Sequence, residues 1–256
     1  MTHLRRCLLA CIAIGGFLTA WQLAIVLAQI QPYMLPPPSE VLQEFLDTPL
    51  VFLSAAGHTL AEGACGLGLA LLLTTLAGLA FAASPFIEKH VSSYLVSLQS
   101  IPVLAVAPLL TMWCGPGFWS KVAASVLVCF FPLAASWSVG IRSVPHEERD
   151  LFATMGATRW QTVYNLIIPR VLPFFFGGMR VAAPLSILGA IVGEFVGATG
   201  GLGFLILSSS YYVKTAAMFV CIILTGVAGL CAYKAVLLVE RRVVFWQGPG
   251  AAQMGK

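Results

Sequence analysis

The sequence predicts an all-α membrane protein with about six transmembrane helices. Three observations carry that reading: charged residues make up only 9% of 256 positions, apolar residues make up 59%, and mean hydropathy is +0.92. Soluble domains carry charge at roughly a quarter of their positions, and none of this length has interior enough for so much apolar surface. Lipid is the environment that takes it. The net charge of +4 matters by position rather than by sum, so it points to no nucleic-acid partner.

A bilayer core needs about twenty apolar residues per helix. Six segments qualify, at about 8–30, 58–83, 91–113, 119–141, 178–198 and 214–238, and the whole chain 1–256 reads as one transmembrane domain. Arg5 and Arg6 precede the first segment, as they would precede a signal peptide's apolar core. Its apolar run continues to Ile30, too long for such a core, and no small-x-small cleavage motif precedes Pro32, so a retained first span is expected. If the N-terminus is cytoplasmic, then Arg5, Arg6, Lys89, Arg142, Arg149, Arg159, Arg170, Arg241, Arg242 and Lys256 all fall inside, with Arg180 at the inner edge of the fifth span. Only Lys121 and Lys214 lie near the outer face. The positive-inside rule therefore predicts both termini in the cytoplasm.

Between the first two spans, Pro36-Pro37-Pro38-Ser39 reads as a stiff lead-in, with Ser39 as N-cap of a short outer helix and Glu40 in its first turn. Val41, Leu42, Phe45 and Leu46 give that helix an apolar face. Trp113 and Trp119 bracket Cys114-Gly115-Pro116-Gly117-Phe118, a tight turn with aromatic anchors. The seven cysteines show no C-x-x-C pair and no zinc spacing, so they read as small packing residues.

Residues 142–177 form the longest non-spanning stretch, and a loop of that length is usually functional. It reads as helix, turn, helix. Pro145 suits the first turn of a helix whose N-terminal end Glu147, Glu148 and Asp150 favour. Gly156 supplies a left-handed stop. Thr158 caps a second helix in which Trp160, Val163, Tyr164 and Ile167 recur at helical spacing, and Pro169 and Pro173 limit its continuation.

Here the residues carry a resemblance. Asp150, Gly156, Ala157, Leu166, Ile168, Pro169 and Pro173 resemble the cytoplasmic loop of bacterial ABC importer permeases, which has an acid, two alanines, three variable residues, Gly-Ala and a later apolar-x-apolar-Pro. Leu151 and Phe152 replace the two alanines, and the acid is Asp. Leu35-Pro36-Pro37-Pro38-Ser39-Glu40-Val41, the run from Ile101-Pro102 to Ala107-Pro108-Leu109-Leu110, and Gly193-Glu194 before Gly200-Gly201-Leu202-Gly203 resemble the nitrate, sulfonate and taurine permease group. Pyrimidine-precursor permeases share the pattern.

The resemblance implies a type I ABC importer permease-like (MetI-like) bundle with a cytoplasmic coupling helix, in a bacterial inner membrane. Asp150, Leu151, Phe152, Ala153, Met155, Gly156, Ala157, Thr158 and Arg159 would contact a separate ATPase. It further implies a second permease subunit, in a homodimer or with a paralogue, two cytoplasmic ATPases, and an extracytoplasmic solute-binding protein. No G-x-x-x-x-G-K-S/T occurs, so ATP and its magnesium belong on the partner, and this chain is expected to bind no cofactor and to catalyse no covalent step.

Glu62 and Glu194 fall in or near the second and fifth spans, where a carboxylate costs several kcal/mol unless paired, protonated or facing water. Both are candidates for the translocation pathway, and Glu194 reads equally as a structural hydrogen-bond partner. Pro102 and Pro108 should bend or interrupt the third span, as helices lining a cavity often do. Gly189, Gly193 and Gly197 form a stripe for close helix approach, within one subunit or across a dimer. Two intramembrane carboxyls suit a neutral or cationic heterocycle, such as a pyrimidine or thiamine precursor, better than a sulfonate, taurine or nitrate. The rival readings are an ion-coupled secondary transporter using Glu62 or Glu194, and a membrane enzyme, for which no H-E-x-x-H or G-x-S-x-G motif is present.

Overall fold

In the computed structural model, residues 3–84 and 100–246 are described, and among them every regular element is helical. The order is α1 (His3–Ala28), α2 (Pro38–Asp47), α3 (Pro49–Ala83), α4 (Val103–Cys114), α5 (Phe118–Arg142), α6 (His146–Thr154), α7 (Arg159–Thr162), a π turn (Val163–Ile167), α8 (Ile168–Glu194), α9 (Leu202–Tyr211) and α10 (Thr215–Val243). Four helical runs are long and apolar enough to cross a membrane: α3, α5, the continuous stretch Arg159–Glu194, and α10. Ile12–Ala28 within α1, α4 and α9 are shorter apolar stretches. The first half of the third expected span, residues 91–99, lies outside the described residues.

The centre of the bundle is α5 packed antiparallel on α8, with α3 laid across both. Lipid offers no hydrophobic gain for helix association, so close van der Waals approach must supply it, and small residues make that approach. A Cβ on Gly189 would lie 2.7 Å from the Ser125 Cα, and one on Gly193 would lie 2.8 Å from the Lys121 Cα. The same holds for Gly140 against Val171, Gly178 against Ser136, Gly66 against Ser125 and Gly78 against the Trp137 indole. Two side chains then bond across the seam: Ser125 Oγ donates to the Ser186 carbonyl at 3.0 Å, and Cys129 Sγ to the Ala182 carbonyl at 3.3 Å. Leu133, Trp137, Ile141, Val171 and Phe175 fill the rest of this core.

The glycine stripe thus packs within the subunit at Gly189 and Gly193. Gly197 is not part of it, because α8 stops at Glu194 and Gly197 sits in the following turn at φ +76°.

Several boundaries differ from the sequence reading. The second span begins at Pro49, nine residues before the predicted start at 58, because Phe52 and Ala55 bury against α9 and α10 and draw the helix outward. Pro37, not Ser39, holds the cap position of α2, with Pro38 at the first helical position, where its missing N–H costs nothing. Pro145 likewise stands one residue before α6, at its cap.

Pro169 and Pro173 do not halt the chain: the fifth span runs unbroken from Arg159. The π turn explains how, since Ile168 N–H reaches back to the Val163 carbonyl and the widened turn gives the Pro169 ring room beside the preceding carbonyls. Pro102 interrupts the expected third span, since residues 100–102 are not helical and it stands at the cap of α4, while Pro108 lies inside that helix.

The helix α9 was not foreseen. It returns into the bundle between the fifth and sixth spans, with Leu202 fully buried among Val41, Phe52, Ala217 and Cys221. Lys121, expected near an outer surface, is 2% exposed.

These contacts predict that Gly189→Val overpacks the α5–α8 seam by about 1–3 kcal/mol. The detergent-extracted protein should melt at a lower temperature. Gly68→Ala, where an added Cβ meets open space, should leave melting unchanged or slightly raise it.

Candidate functional site

Polar and exposed residues gather at the two ends of the α5–α8 pair. At one end is the loop between them. The α6 helix closes with two hydrogen bonds, Gly156 N–H to the Ala153 carbonyl and Ala157 N–H to the Phe152 carbonyl, both 3.0 Å. With Gly156 at φ +73°, this is a Schellman stop. One residue later a capping box opens the next helix: Thr158 N–H donates to Gln161 Oε1 at 2.7 Å, and Gln161 N–H to Thr158 Oγ1 at 3.3 Å. The turn Met155–Thr158 is therefore fixed from both sides.

Two arginines brace α6 to the bundle. Arg149 Nη2 donates to the Ile141 carbonyl at 2.7 Å, at the C-terminal end of α5, where a cation is favoured. Arg170 near the start of α8 pairs with Glu148. Beyond the turn, Val163, Leu166 and Ile167 anchor into the core, while Leu151, Met155, Trp160 and Tyr164 stay exposed, at 58%, 75%, 68% and 73%. Asp150, Ala153, Gly156, Thr158 and Arg159 are exposed too, and Phe152 and Ala157 half-buried. The nine expected contact residues thus share one projecting handle, on which this chain leaves Leu151 and Met155 uncovered and Phe152 half-covered.

The other end lies about 30 Å away along α5, from the 21 residues between Lys121 and Arg142. Glu194, 1% exposed, ends α8 there. Its Oε1 accepts from Thr59 Oγ1 of α3 at 2.7 Å, and its Oε2 accepts from the Gly203 N–H at 2.5 Å. The Leu202 N–H donates to Thr59 Oγ1 at 2.8 Å. Together Thr59 and Glu194 satisfy the first two backbone donors of α9, and the carboxylate sits where the helix dipole favours negative charge.

The glycines make this fit possible. Gly201 stands at φ +99°, and a Cβ on Gly201 or Gly203 would overlap the Glu194 carboxyl.

Glu62, one turn after Thr59 on α3, adjoins Glu194 and is 8% exposed, and its Oε2 is buried with no hydrogen-bond partner. Lys121 lies within electrostatic reach of both acids, while its Nζ donates to the Pro116 carbonyl at 2.6 Å and the Gly197 carbonyl at 3.4 Å. Pro102 and Pro108 are not in this cluster: both are exposed on α4.

Residues 70–245 match the model of the binding-protein-dependent transport system inner membrane component. The chain belongs to that family. It is the membrane-spanning permease subunit of an ABC importer for small solutes, a transport component and not an enzyme.

The formylaminopyrimidine transport permease ThiX of Halalkalibacterium halodurans is 35% identical, over 85% of this chain and 87% of its own. The riboflavin transport permease RibX of Chloroflexus aurantiacus is also 35% identical, over 90% and 87%. The taurine transport permease TauC of Escherichia coli is 29% identical, over 90% and 86%. Among solved structures, an inward-facing form of the MetNI methionine ABC transporter matches in fold with a TM-score of 0.61 at 18% identity, over 75% of this permease and 98% of that chain.

The braces Arg149 and Arg170–Glu148, and the participation of Thr59 and Lys121 in the far cluster, escaped the sequence reading. The spacing of Thr59 and Glu62, i and i+3 on one helix face, is the signal that could have found Thr59, whereas nothing in the sequence marks their partners on α8 and α9. Arg180, read as an inner-edge cation, makes a two-pronged ion pair with Glu240 of α10.

Replacing Gly156 by Ala at φ +73° should cost about 1–2 kcal/mol, and Thr158→Ala about 1 kcal/mol. Hydrogen exchange should quicken at the amides of residues 156–161 in both variants, with the core of α8 unchanged.

Proposed function

We propose that the permease forms one translocation pathway with a second copy of itself, driven by two cytoplasmic ATPases that grip the loop Asp150–Arg159. The observation that carries this is the handle: a turn locked by a helix stop and a capping box, braced to α5 and α8, with Leu151, Met155, Trp160 and Tyr164 uncovered. A rigid apolar projection on a membrane protein is suited to a partner that pulls on it. ATP and magnesium are held by that partner. The loop, the N-terminal end of α1 and the C-terminal end of α10 share one side of the bundle, which we assign to the cytoplasm of a bacterial cell on the strength of its Lys and Arg. A solute-binding protein delivers cargo from the other side. ATP binding draws the two handles together and rocks the bundles from inward-open to outward-open.

For the pathway we retain Glu62, Glu194, Pro102 and Pro108. Pro102, at the cap of α4, and Pro108, within it, are both exposed. The two acids are enclosed within one subunit and would meet solute only in another conformation. A nitrogen heterocycle is the favoured solute class, supported by the paired carboxyls and by the formylaminopyrimidine and riboflavin relatives.

An ABC ATPase should co-purify with the permease, and Gly156→Trp should reduce its recovery by about tenfold or more, a loss of at least ~1.4 kcal/mol in binding. Undiminished recovery would remove the handle from this role. The cognate binding protein should take a pyrimidine-type heterocycle at micromolar affinity or better by calorimetry, and a sulfonate alone would overturn the solute class.

A further inference from the structure

We infer that Thr59 and Glu194 are positioning residues that latch α9 shut, and that the end of the bundle remote from the handle opens when this latch breaks. Three observations point the same way. First, the joint is polar and concentrated: two donors of α9 are held by one hydroxyl from α3 and one carboxyl from α8, with an apolar cluster around Leu202 on one side and Glu62 and Lys121 on the other. Such groups can exchange protein partners for water with little net change, whereas an apolar seam cannot, so the polar joint is the place for a reversible break. Glu62, more than nine-tenths buried and with an unpartnered oxygen beside it, is a group that entering water would satisfy.

Second, α9 is bounded by backbone positions that suit a hinge. Gly197 and Gly201 precede it at φ +76° and +99°, and Val213 follows it at φ +55°, a left-handed conformation that a β-branched residue seldom adopts. Third, the latch is wired to the handle. Glu194 is the last residue of the continuous helical run that begins at Arg159, so a displacement of the loop is carried along one rod to the carboxyl that holds α9.

The inference rests on the ATPase-driven reading for what moves the rod, but the latch itself is testable without it. Cys221 is fully buried in the cluster that holds Leu202, and lifting α9 would uncover it. A chain keeping only Cys221, its other six cysteines replaced by alanine, is labelled with a water-soluble maleimide in membranes. Loss of a buried hydrogen bond that leaves an α9 donor unsatisfied should shift the closed–open balance by about tenfold or more. Thr59→Val and Glu194→Gln should accordingly label at least that much faster than the unaltered latch, and Thr59→Ser, which keeps the hydroxyl, should label at the original rate.

In the assembled transporter the two latch variants should also hydrolyse ATP faster in the absence of solute-loaded binding protein, which a purely structural weakening would not produce. Unchanged labelling in both Thr59→Val and Glu194→Gln overturns the latch while leaving the permease assignment intact. If no ATPase associates even with the unaltered chain, the driving partner is lost, and the labelling rates still decide the latch.

Discussion

The arrangement depends on how closely α5 and α8 approach. Where Gly189 meets Ser125 and Gly193 meets the backbone of Lys121, no Cβ intervenes, and the two helices come near enough for Ser125 and Cys129 to bond carbonyls of the opposite helix. In lipid, where hydrocarbon competes equally for apolar side chains, such approach and such bonds are the main sources of association. The seam also fixes what sits at its two ends. The loop joins one pair of helix ends, so the handle cannot shift without α5 and α8. The Glu194 carboxyl terminates the other, so the polar cluster is placed by the same packing.

The loop achieves rigidity with few residues. A Schellman stop and a capping box lie back to back, and the four residues Met155–Thr158 belong to one or the other. Arg149 adds a brace to the end of α5, and Arg170–Glu148 adds one to the start of α8. An ion pair this exposed contributes little stability by itself. Its effect is directional, because it sets the angle at which α6 leaves the membrane domain.

Much of this was legible because it is local. Gly156 and Thr158 announce their roles within four residues of sequence, and the structure places both as read. Trp113 and Trp119 flank the Gly115 turn, both largely exposed. Prolines were the less reliable guide: Pro145 stands one residue earlier than read, and Pro169 and Pro173 were read as barriers, yet the π turn accommodates one and the helix simply continues through the other. What sequence hid was non-local. Nothing around Lys121 says that its side chain will be sealed against two turn carbonyls, and nothing around Leu202 says that a helix packed into the bundle will begin there, since its capping groups arrive from positions 59 and 194. The Gly-Gly-Leu-Gly run was visible as a motif, but its reason is a carboxyl nine residues behind the Gly203 N–H that it accepts from, and only the fold brings that carboxyl back.

The π turn Val163–Ile167 has one more consequence. Such a turn amounts to a single residue inserted in a helix, and each residue turns an α-helix by about 100°. The azimuth at which Trp160 faces outward, relative to the stripe of Val171, Phe175 and Ala182 that faces the core, therefore depends on a residue count as well as on the braces that hold α6. Two permeases with the same handle chemistry but one residue more or fewer in this stretch would present it along different compass bearings, and so would suit differently shaped sockets.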